Sequence, residues 1–311
     1  MKKIFLVLIC SVSLQACGVP AKKAVDAQQN DTVAQAVAPI KKVVLPLTIT
    51  DRDEKIEWTA INYWNLFPFA DTTYIASPEL EQAFVDWIVL MPYVKESVRQ
   101  SSFAATFNKA NAAKREMLDE FMRLAEQYLY DPNSPMRNEE VYIAVLRAEL
   151  ELDALMDVEK LRPKDQLDMA LKNRIGQRAT DFAYTNINGS NGRLSTVKSE
   201  LLILFFNDPD CPNCKQVRLG MMANEGLLAL EKQGRIKVMA IYVGENRQQW
   251  QNYAPNIPAQ WLNVQGEKAL DKERLYDLRA SPTLYLLDAK KNVILKDCTL
   301  DQIVNYLGGL E

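Results

Sequence analysis

The sequence predicts an α-helical domain followed by an α/β sandwich. First, glycine is absent between Gly18 and Gly176, and apolar residues recur there at helical spacing. Second, from Gln177 onward short apolar runs alternate with helix patterns and turns, as expected of an α/β layer. Third, two cysteines separated by two residues follow one of these apolar runs. A chain of 311 residues has room for two such domains.

The composition limits the chemistry that the chain can perform. Hydrophobic residues make up 48% and charged residues 25%, values typical of a folded protein. The net charge of -3 argues against a protein that coats nucleic acid, so no nucleic-acid partner is expected. Histidine is absent from the whole sequence, which excludes Ser-His-Asp and Cys-His catalysis and histidine-ligated zinc or haem.

The N-terminus has the features of an export signal. Two lysines precede an apolar run that ends at Leu14 and is too short to cross a bilayer, so residues 1–16 are predicted to be a signal peptide. The string Leu14-Gln15-Ala16-Cys17-Gly18 resembles the lipobox of bacterial lipoproteins. That resemblance implies cleavage before Cys17, lipid attachment to its sulfur and a place in the cell envelope. An ordinary signal peptide with an incidental cysteine is the alternative.

Two segments are expected between the lipid anchor and the α/β domain. Residues 17–50 are rich in Ala, Val, Gln and Lys and lack aromatic residues, so they are predicted to form a flexible lipidated tether. The absence of an acidic run after Cys17 favours an outer-membrane position facing the periplasm. Residues 51–176 are predicted to be helical. Ser77-Pro78 is a good helix start, and Pro92 should end or kink that helix.

Apolar stripes mark three helices of this domain. They comprise Leu80, Phe84, Ile88 and Met91, then Met117, Phe121, Leu124 and Leu129, then Val141, Val145, Leu146, Leu152 and Leu155. The aromatic segment Tyr63–Thr73 is interpreted as core, with a ligand groove as the alternative. Its Tyr-Trp-Asn and Phe-x-Asp-Thr patterns, with Gln82–Asp86, resemble a helical domain of unknown function that precedes a thioredoxin-like domain in Gram-negative lipoproteins.

The α/β domain is predicted over residues 177–311, and its elements follow from runs and turns. An initial hairpin is expected over 182–187 and 193–197, followed by buried strands at 201–206 and 236–243. A second hairpin is expected over 283–287 and 293–295. Helices are predicted over 211–233, around 248, over 272–278 and over 299–307.

The pair Cys211 and Cys214 opens the first of these helices, directly after a buried strand. The free N–H groups and the positive end of the helix dipole stabilise the thiolate of the first cysteine, so Cys211 should attack and Cys214 should resolve the mixed disulfide. Zinc would need histidines or a second cysteine pair, so no metal is expected. A structural disulfide is the remaining alternative. Cys298 is interpreted as a small buried apolar residue.

The segment Gln177–Leu310, with its Cys-Pro-Asn-Cys and Ser281-Pro282-Thr283 motifs, resembles the thioredoxin fold and most of all the TlpA-like thiol–disulfide oxidoreductases. The resemblance implies a cis-proline at Pro282 beside the cysteine pair, with Ser281 and Pro282 binding the substrate backbone. Two positions depart from the family. Asp210 replaces the usual tryptophan, and Phe205 stands where a buried carboxylate is usual, so no proton acceptor for Cys214 is identified.

These observations predict a membrane-anchored thiol–disulfide oxidoreductase that reduces disulfides of exported proteins and needs no cofactor beyond its cysteine pair. TlpA-like relatives are mostly reductases, which implies a membrane electron donor as a second partner. A disulfide oxidase or isomerase is one alternative. A non-catalytic envelope scaffold, with Cys211 and Cys214 joined as a structural clasp, is the other.

Overall fold

The computed structural model describes residues 37–266, 270 and 272–309. The predicted signal peptide, Cys17 and the first part of the tether lie outside the described residues. Helices come first along the chain and a mixed α/β sheet follows, which confirms the predicted order of fold classes. Among the described residues we find no helix whose length and apolar character would let it span a bilayer.

The helical domain follows a partly buried N-terminal stretch. Its helices in the described residues are α1 (Arg52–Asn62), α2 (Pro78–Ile88), α3 (Glu96–Ala113), α4 (Arg115–Leu129), α5 (Glu139–Glu151) and α6 (Asp157–Ala170). Helix α2 starts as predicted, because the Ser77 side chain accepts the Leu80 N–H and Pro78 occupies the first turn. It ends at Ile88, and Pro92 lies in the short 3-10 turn that follows.

The predicted aromatic segment forms the centre of the helical core. Trp64, Phe67 and Phe69 are buried there. The ring of Trp64 meets that of Phe121 edge-on at a centroid distance of 4.9 Å and that of Phe67 at 5.2 Å. Such edge-to-face pairs each add about 0.5–1.5 kcal/mol beyond the area that they bury. The interpretation of this segment as core, rather than as a ligand groove, is confirmed.

The end of the predicted tether is packed rather than free. Val37 and Ile40 contact the helical core, and the Tyr74 hydroxyl donates a hydrogen bond to the Ala38 carbonyl at 2.9 Å. Lys42 also pairs with Asp86 at 3.3 Å. The apolar residues in this stretch bury against helices distant in sequence, which composition alone does not reveal. The tether prediction for 17–50 was therefore wrong for residues 37–42.

The α/β domain is a seven-stranded sheet in the described residues, with strand order β2-β1-β5-β4-β3-β6-β7. The strands are β1 (Ala183–Asn186), β2 (Asn191–Arg193), β3 (Leu201–Asn207), β4 (Ile236–Tyr242), β5 (Leu262–Gly266), β6 (Thr283–Leu287) and β7 (Val293–Leu295). The helices are α7 (Pro212–Ala223), α8 (Glu225–Lys232), α9 (Arg247–Tyr253) and a C-terminal helix (Leu300–Gly308). Central strand β3 runs parallel to β4 and antiparallel to β6, and the side chains on both of its faces are buried.

The structure differs from the predicted elements at several points. The helix expected over 211–233 is two helices, because Asn224 is extended and its side chain accepts the Leu227 N–H at 2.9 Å to start α8. The helix expected over 272–278 does not continue past Lys272, since Arg274 has a left-handed backbone with φ 47°. Strand β5 was not predicted. It lies between β1 and β4 and completes the sheet.

Candidate active site

At the N-terminus of α7 the Cys211 side chain is partly exposed, whereas the Cys214 side chain is buried. Cys211 is the N-cap residue of α7, and its sulfur accepts the Cys214 N–H at 3.0 Å. Pro212, which has no N–H to leave unpaired, fills the first helical position. A negative charge on the Cys211 sulfur would meet both this N–H and the positive end of the helix dipole. The Cys211 sulfur therefore lies at a helix N-terminus, where a negative charge can be accommodated.

The second cysteine lies in apolar surroundings. Cys214 is fully buried within a cluster that includes Phe205 and Ile203 of β3. Burial, aided by the hydrogen bond with the Cys211 sulfur, raises the pKa of the Cys214 thiol to about 12. Cys214 is therefore protonated at neutral pH. Both side chains are free thiols in the structure, one half-buried and one buried.

The predicted proline loop lies beside the pair. The Ser281–Pro282 peptide bond is cis, as the family resemblance implied. The Cys211 thiol donates to the Ser281 carbonyl at 3.5 Å. Ser281 is exposed and Pro282 is half-buried, so this part of the loop is accessible to solvent. The structure thus brings Cys211, Cys214, Ser281 and Pro282 together at one edge of the domain.

The two departures from the family pattern have distinct structural outcomes. Phe205 fills the position of the usual carboxylate with a buried ring, 6.3 Å from that of Trp261 and nearly perpendicular to it. Asp210, in the place of the usual tryptophan, accepts a hydrogen bond from the Gln249 side chain of α9 at 2.7 Å. Gln249 in turn accepts the Tyr242 hydroxyl at 3.0 Å. No local pattern in the sequence points to this Asp210–Gln249–Tyr242 chain, because its members lie on three separate elements.

A buried arginine on α7 was also missed. Arg218 lies one helical turn after Cys214 and is only 6% exposed. Its guanidinium donates to the Asn256 carbonyl and lies 5.8 Å from the centre of the Tyr253 ring. These contacts hold the loop after α9 against the helix that carries the cysteines. The i to i+4 spacing from Cys214 is the signal that could have placed Arg218 on this inner face.

The third thiol has a different environment. Cys298 is half-buried, and its thiol donates to the Leu284 carbonyl of β6 at 3.6 Å. Burial raises its pKa to about 12. Its thiol faces a backbone carbonyl rather than a second sulfur, which supports the interpretation of Cys298 as a packing residue. Within the part of the chain that the structure describes, no cluster of three or more Cys, Asp or Glu side chains could hold a metal ion.

Comparison with solved structures places the chain in the thioredoxin-like class. A thioredoxin-like protein from Bacteroides caccae is 36% identical, with a TM-score of 0.82 over 89% of this chain and 100% of that chain. Residues 17–173 match the model of a domain of unknown function, DUF5106, and the chain belongs to that family. The thioredoxin-like fold and the helical domain of unknown function, both expected from resemblance, are confirmed. The lipoprotein and TlpA-like assignments remain predictions.

Two shorter structures each match less than half of the chain. The C-terminal domain of an uncharacterized protein from Bacteroides fragilis is 36% identical, with a TM-score of 0.43 over 44% of this chain and 98% of that chain. A conserved protein of unknown function from the same species is 38% identical, with a TM-score of 0.42 over 43% of this chain and 98% of that chain. Among curated proteins, none matches this chain.

Proposed function

We propose that this protein is a thiol–disulfide oxidoreductase in which Cys211 attacks and Cys214 resolves. The observation that carries the proposal is the position of the Cys211 sulfur. It accepts the Cys214 N–H at the start of α7 and lies 3.5 Å from the Ser281 carbonyl. A nucleophile at a helix N-terminus beside an exposed backbone segment is suited to attack a disulfide within an extended peptide.

The reaction transfers two electrons from the cysteine pair to the substrate. The Cys211 thiolate attacks one sulfur of the substrate disulfide, the substrate S–S bond breaks, and the departing thiolate takes up a proton. Cys214 then loses its proton and attacks the Cys211 sulfur. This second step releases the other substrate thiol and leaves a Cys211–Cys214 disulfide. A reductant must restore the two thiols, and a membrane electron donor is the partner that we propose.

The Ser281 carbonyl has a separate task in this scheme. In the reduced protein this carbonyl accepts a hydrogen bond from the Cys211 thiol. Once that proton is lost, the carbonyl is available to accept an N–H from the backbone of the substrate. Formation of the thiolate and binding of an extended substrate are thereby coupled at one atom, as expected of a β-bridge to a bound peptide.

Replacement of the attacking thiol tests the proposal. Full-length protein in detergent should catalyse the reduction of insulin by dithiothreitol, and Cys211→Ser should abolish this catalysis. Cys298→Ser is the matched control, because Cys298 faces a backbone carbonyl rather than a second thiol. If the Cys211–Cys214 disulfide resists mild reductant and Cys211→Ser leaves insulin reduction unchanged, the pair is a structural clasp.

For the location we propose lipid attachment at Cys17, with the folded part facing the periplasm. The motif Leu14-Gln15-Ala16-Cys17 supports this part of the proposal. Several acyl chains on one residue bind a bilayer durably, at about 0.8 kcal/mol per buried CH₂. Cys17→Ala should release the protein from the membrane fraction or leave an uncleaved precursor. Normal cleavage with unchanged membrane partitioning would contradict lipidation.

We propose reduction rather than oxidation as the direction because the resemblance is to tethered reductases. The equilibrium potential of the Cys211–Cys214 pair decides the matter. A potential near that of thioredoxin, about -270 mV, would favour a reductase, whereas one near -120 mV would favour an oxidase. Titration of the pair against glutathione and dithiothreitol buffers measures it.

A further inference from the structure

We propose that Tyr130 of the helical domain is a positioning residue for the Ser281–Pro282 segment, and that it acts through Arg279. The inference rests on the proposed thiol–disulfide exchange. It gives the helical domain a part in the recognition of protein disulfides.

The contact on which the inference rests is a cation–π interaction between the two domains. The guanidinium carbon of Arg279 lies 3.3 Å from the centre of the Tyr130 ring. Arg279 also pairs with Asp277 at 3.1 Å, where its side chain is 26% exposed and that of Asp277 is 11% exposed. A guanidinium between an aromatic face and a carboxylate, both partly withdrawn from water, has little freedom to move.

Tyr130 is itself fixed within the helical domain. Its ring stacks on that of Tyr142, with centroids 4.8 Å apart and planes inclined by 24°. Tyr142 is 2% exposed, and its hydroxyl donates to the Gln166 side chain of α6 at 3.1 Å. The surface offered to Arg279 is therefore anchored in the core of α5 and α6.

Arg279 is separated from Ser281 by one residue, and that residue is also held. The Ala280 carbonyl accepts the Thr283 hydroxyl at 2.8 Å. Thr283 is the first residue of β6. The backbone from 279 to 283 is thus pinned at one end by the helical domain and at the other by the sheet, with the Ser281 carbonyl between them.

The start of the same loop has a second set of contacts with the helical domain. Arg274 pairs with Asp165 of α6 at 2.6 Å, and the Asn173 side chain donates to the Leu275 carbonyl at 2.8 Å. These contacts fix the loop several residues upstream of Ser281. Loss of the Tyr130 face would therefore free the Ser281 end of the loop while the upstream end stays attached.

The role predicts a difference between two kinds of substrate. A small disulfide needs only access to the Cys211 sulfur. A protein disulfide in addition needs the Ser281 carbonyl at the right place to receive its backbone N–H. Tyr130 should therefore influence the reduction of proteins and leave the reaction with small disulfides unaffected.

The test compares Tyr130→Leu with Tyr130→Phe in the full-length protein. Leucine removes the aromatic face, whereas phenylalanine keeps it. Two rates are measured for each variant, kcat/KM for insulin and the rate at which the reduced protein consumes dithionitrobenzoate, a small aromatic disulfide. Tyr130→Leu should lower kcat/KM for insulin about tenfold, mainly through KM, and change the small-disulfide rate by less than about twofold. Tyr130→Phe should behave as the wild-type protein.

Arg279→Gln removes the other partner of the same contact. It tests the inference even if Tyr130→Leu misfolds, because the substitution lies outside the helical domain. It should reproduce the loss for insulin, and in combination with Tyr130→Leu the two losses should not add. An equal loss with both substrates, or no loss with insulin, would overturn the inference. A wild-type protein that reduces neither substrate would instead refute the proposed function, so the two failures are distinguishable.

Discussion

Two regions of the thioredoxin-like domain each hold a buried thiol of similar acidity. At the start of α7 and in the segment after β7, burial raises the pKa of Cys214 and of Cys298 to about 12. Their neighbours differ. The Cys214 backbone N–H reaches a second sulfur at 3.0 Å, whereas the Cys298 thiol reaches a strand carbonyl at 3.6 Å. Burial therefore sets the protonation state of a thiol, and the group beside it decides whether the thiol takes part in exchange.

The largest expected effect separates the two thiols by function. Cys214→Ser should abolish turnover and accumulate mixed disulfides on Cys211, because attack proceeds but release does not. Non-reducing electrophoresis and mass spectrometry of the trapped species measure this, and in cells they would identify the substrates. Cys298→Ser should turn over normally without adducts. Adducts on the Cys298→Ser protein would show that both regions exchange disulfides.

The apolar wall around Cys214 should be more costly to disturb than the surroundings of Cys298. Phe205→Ala removes a buried ring and should lower the free energy of unfolding by about 3–5 kcal/mol. Urea unfolding measures this loss. Ile294→Ala, at a half-buried position of β7, is the control and should cost less. An equal loss of unfolding free energy in the two variants would mean that the surroundings of Cys214 are no more sensitive than those of Cys298.

The raised pKa of Cys214 gives the resolving step a defined pH dependence. Only the thiolate attacks, and the thiol is mostly protonated below a pKa of about 12. A rise in pH deprotonates it, so the rate of resolution should increase by about tenfold per pH unit between about pH 7 and pH 10. Acid quench of single-turnover reactions at several pH values measures this rate. A plateau at neutral pH would mean that the Cys214 pKa falls once Cys211 is bonded to substrate.

The smallest expected effect is the loss of Cys298 itself. Cys298→Ala removes a half-buried sulfur and one weak hydrogen bond, and should lower the free energy of unfolding by about 1 kcal/mol. Catalysis should be unchanged. Thermal or denaturant unfolding, together with insulin reduction, checks both parts. A marked loss of catalysis with little loss of stability would give Cys298 a redox role.

The sequence was informative wherever a signal was local. Ser77 and Pro78 mark the start of α2, and the cysteine pair directly after the apolar strand β3 marks the candidate site. Strand β5 was missed although apolar and polar residues alternate in it, because five residues give this strand pattern little length. Its Asn263 accepts the Trp250 indole N–H at 2.8 Å, and its Gln265 donates to the Gly244 carbonyl at 2.9 Å.

Helix α3 and the Tyr130–Arg279 contact likewise could not be predicted from local sequence signals. In α3 the polar residues Ser102 and Thr106 are buried beside phenylalanines, and the Thr106 hydroxyl donates to the Ser102 carbonyl at 2.8 Å. The apolar stripe is interrupted there, so periodicity gave no clear helix. The Tyr130–Arg279 contact joins distant parts of the chain. Neither residue is unusual in its own segment, so only the fold reveals their pairing.

The short strands at the two ends of the sheet bear on how the protein behaves beside other polypeptide chains. Strands β2 and β7 occupy these ends and have three residues each. An exposed sheet edge is a template for pairing with another chain, and such pairing leads to aggregation. The β2 edge is so short that an invading strand could make few backbone hydrogen bonds. The outer edge of β7 is already occupied, because the Val293 N–H donates to the Gln177 carbonyl and the Val293 carbonyl accepts the Gly176 N–H, both at 2.8 Å. An extended chain that approaches either end of the sheet therefore finds little free edge to extend.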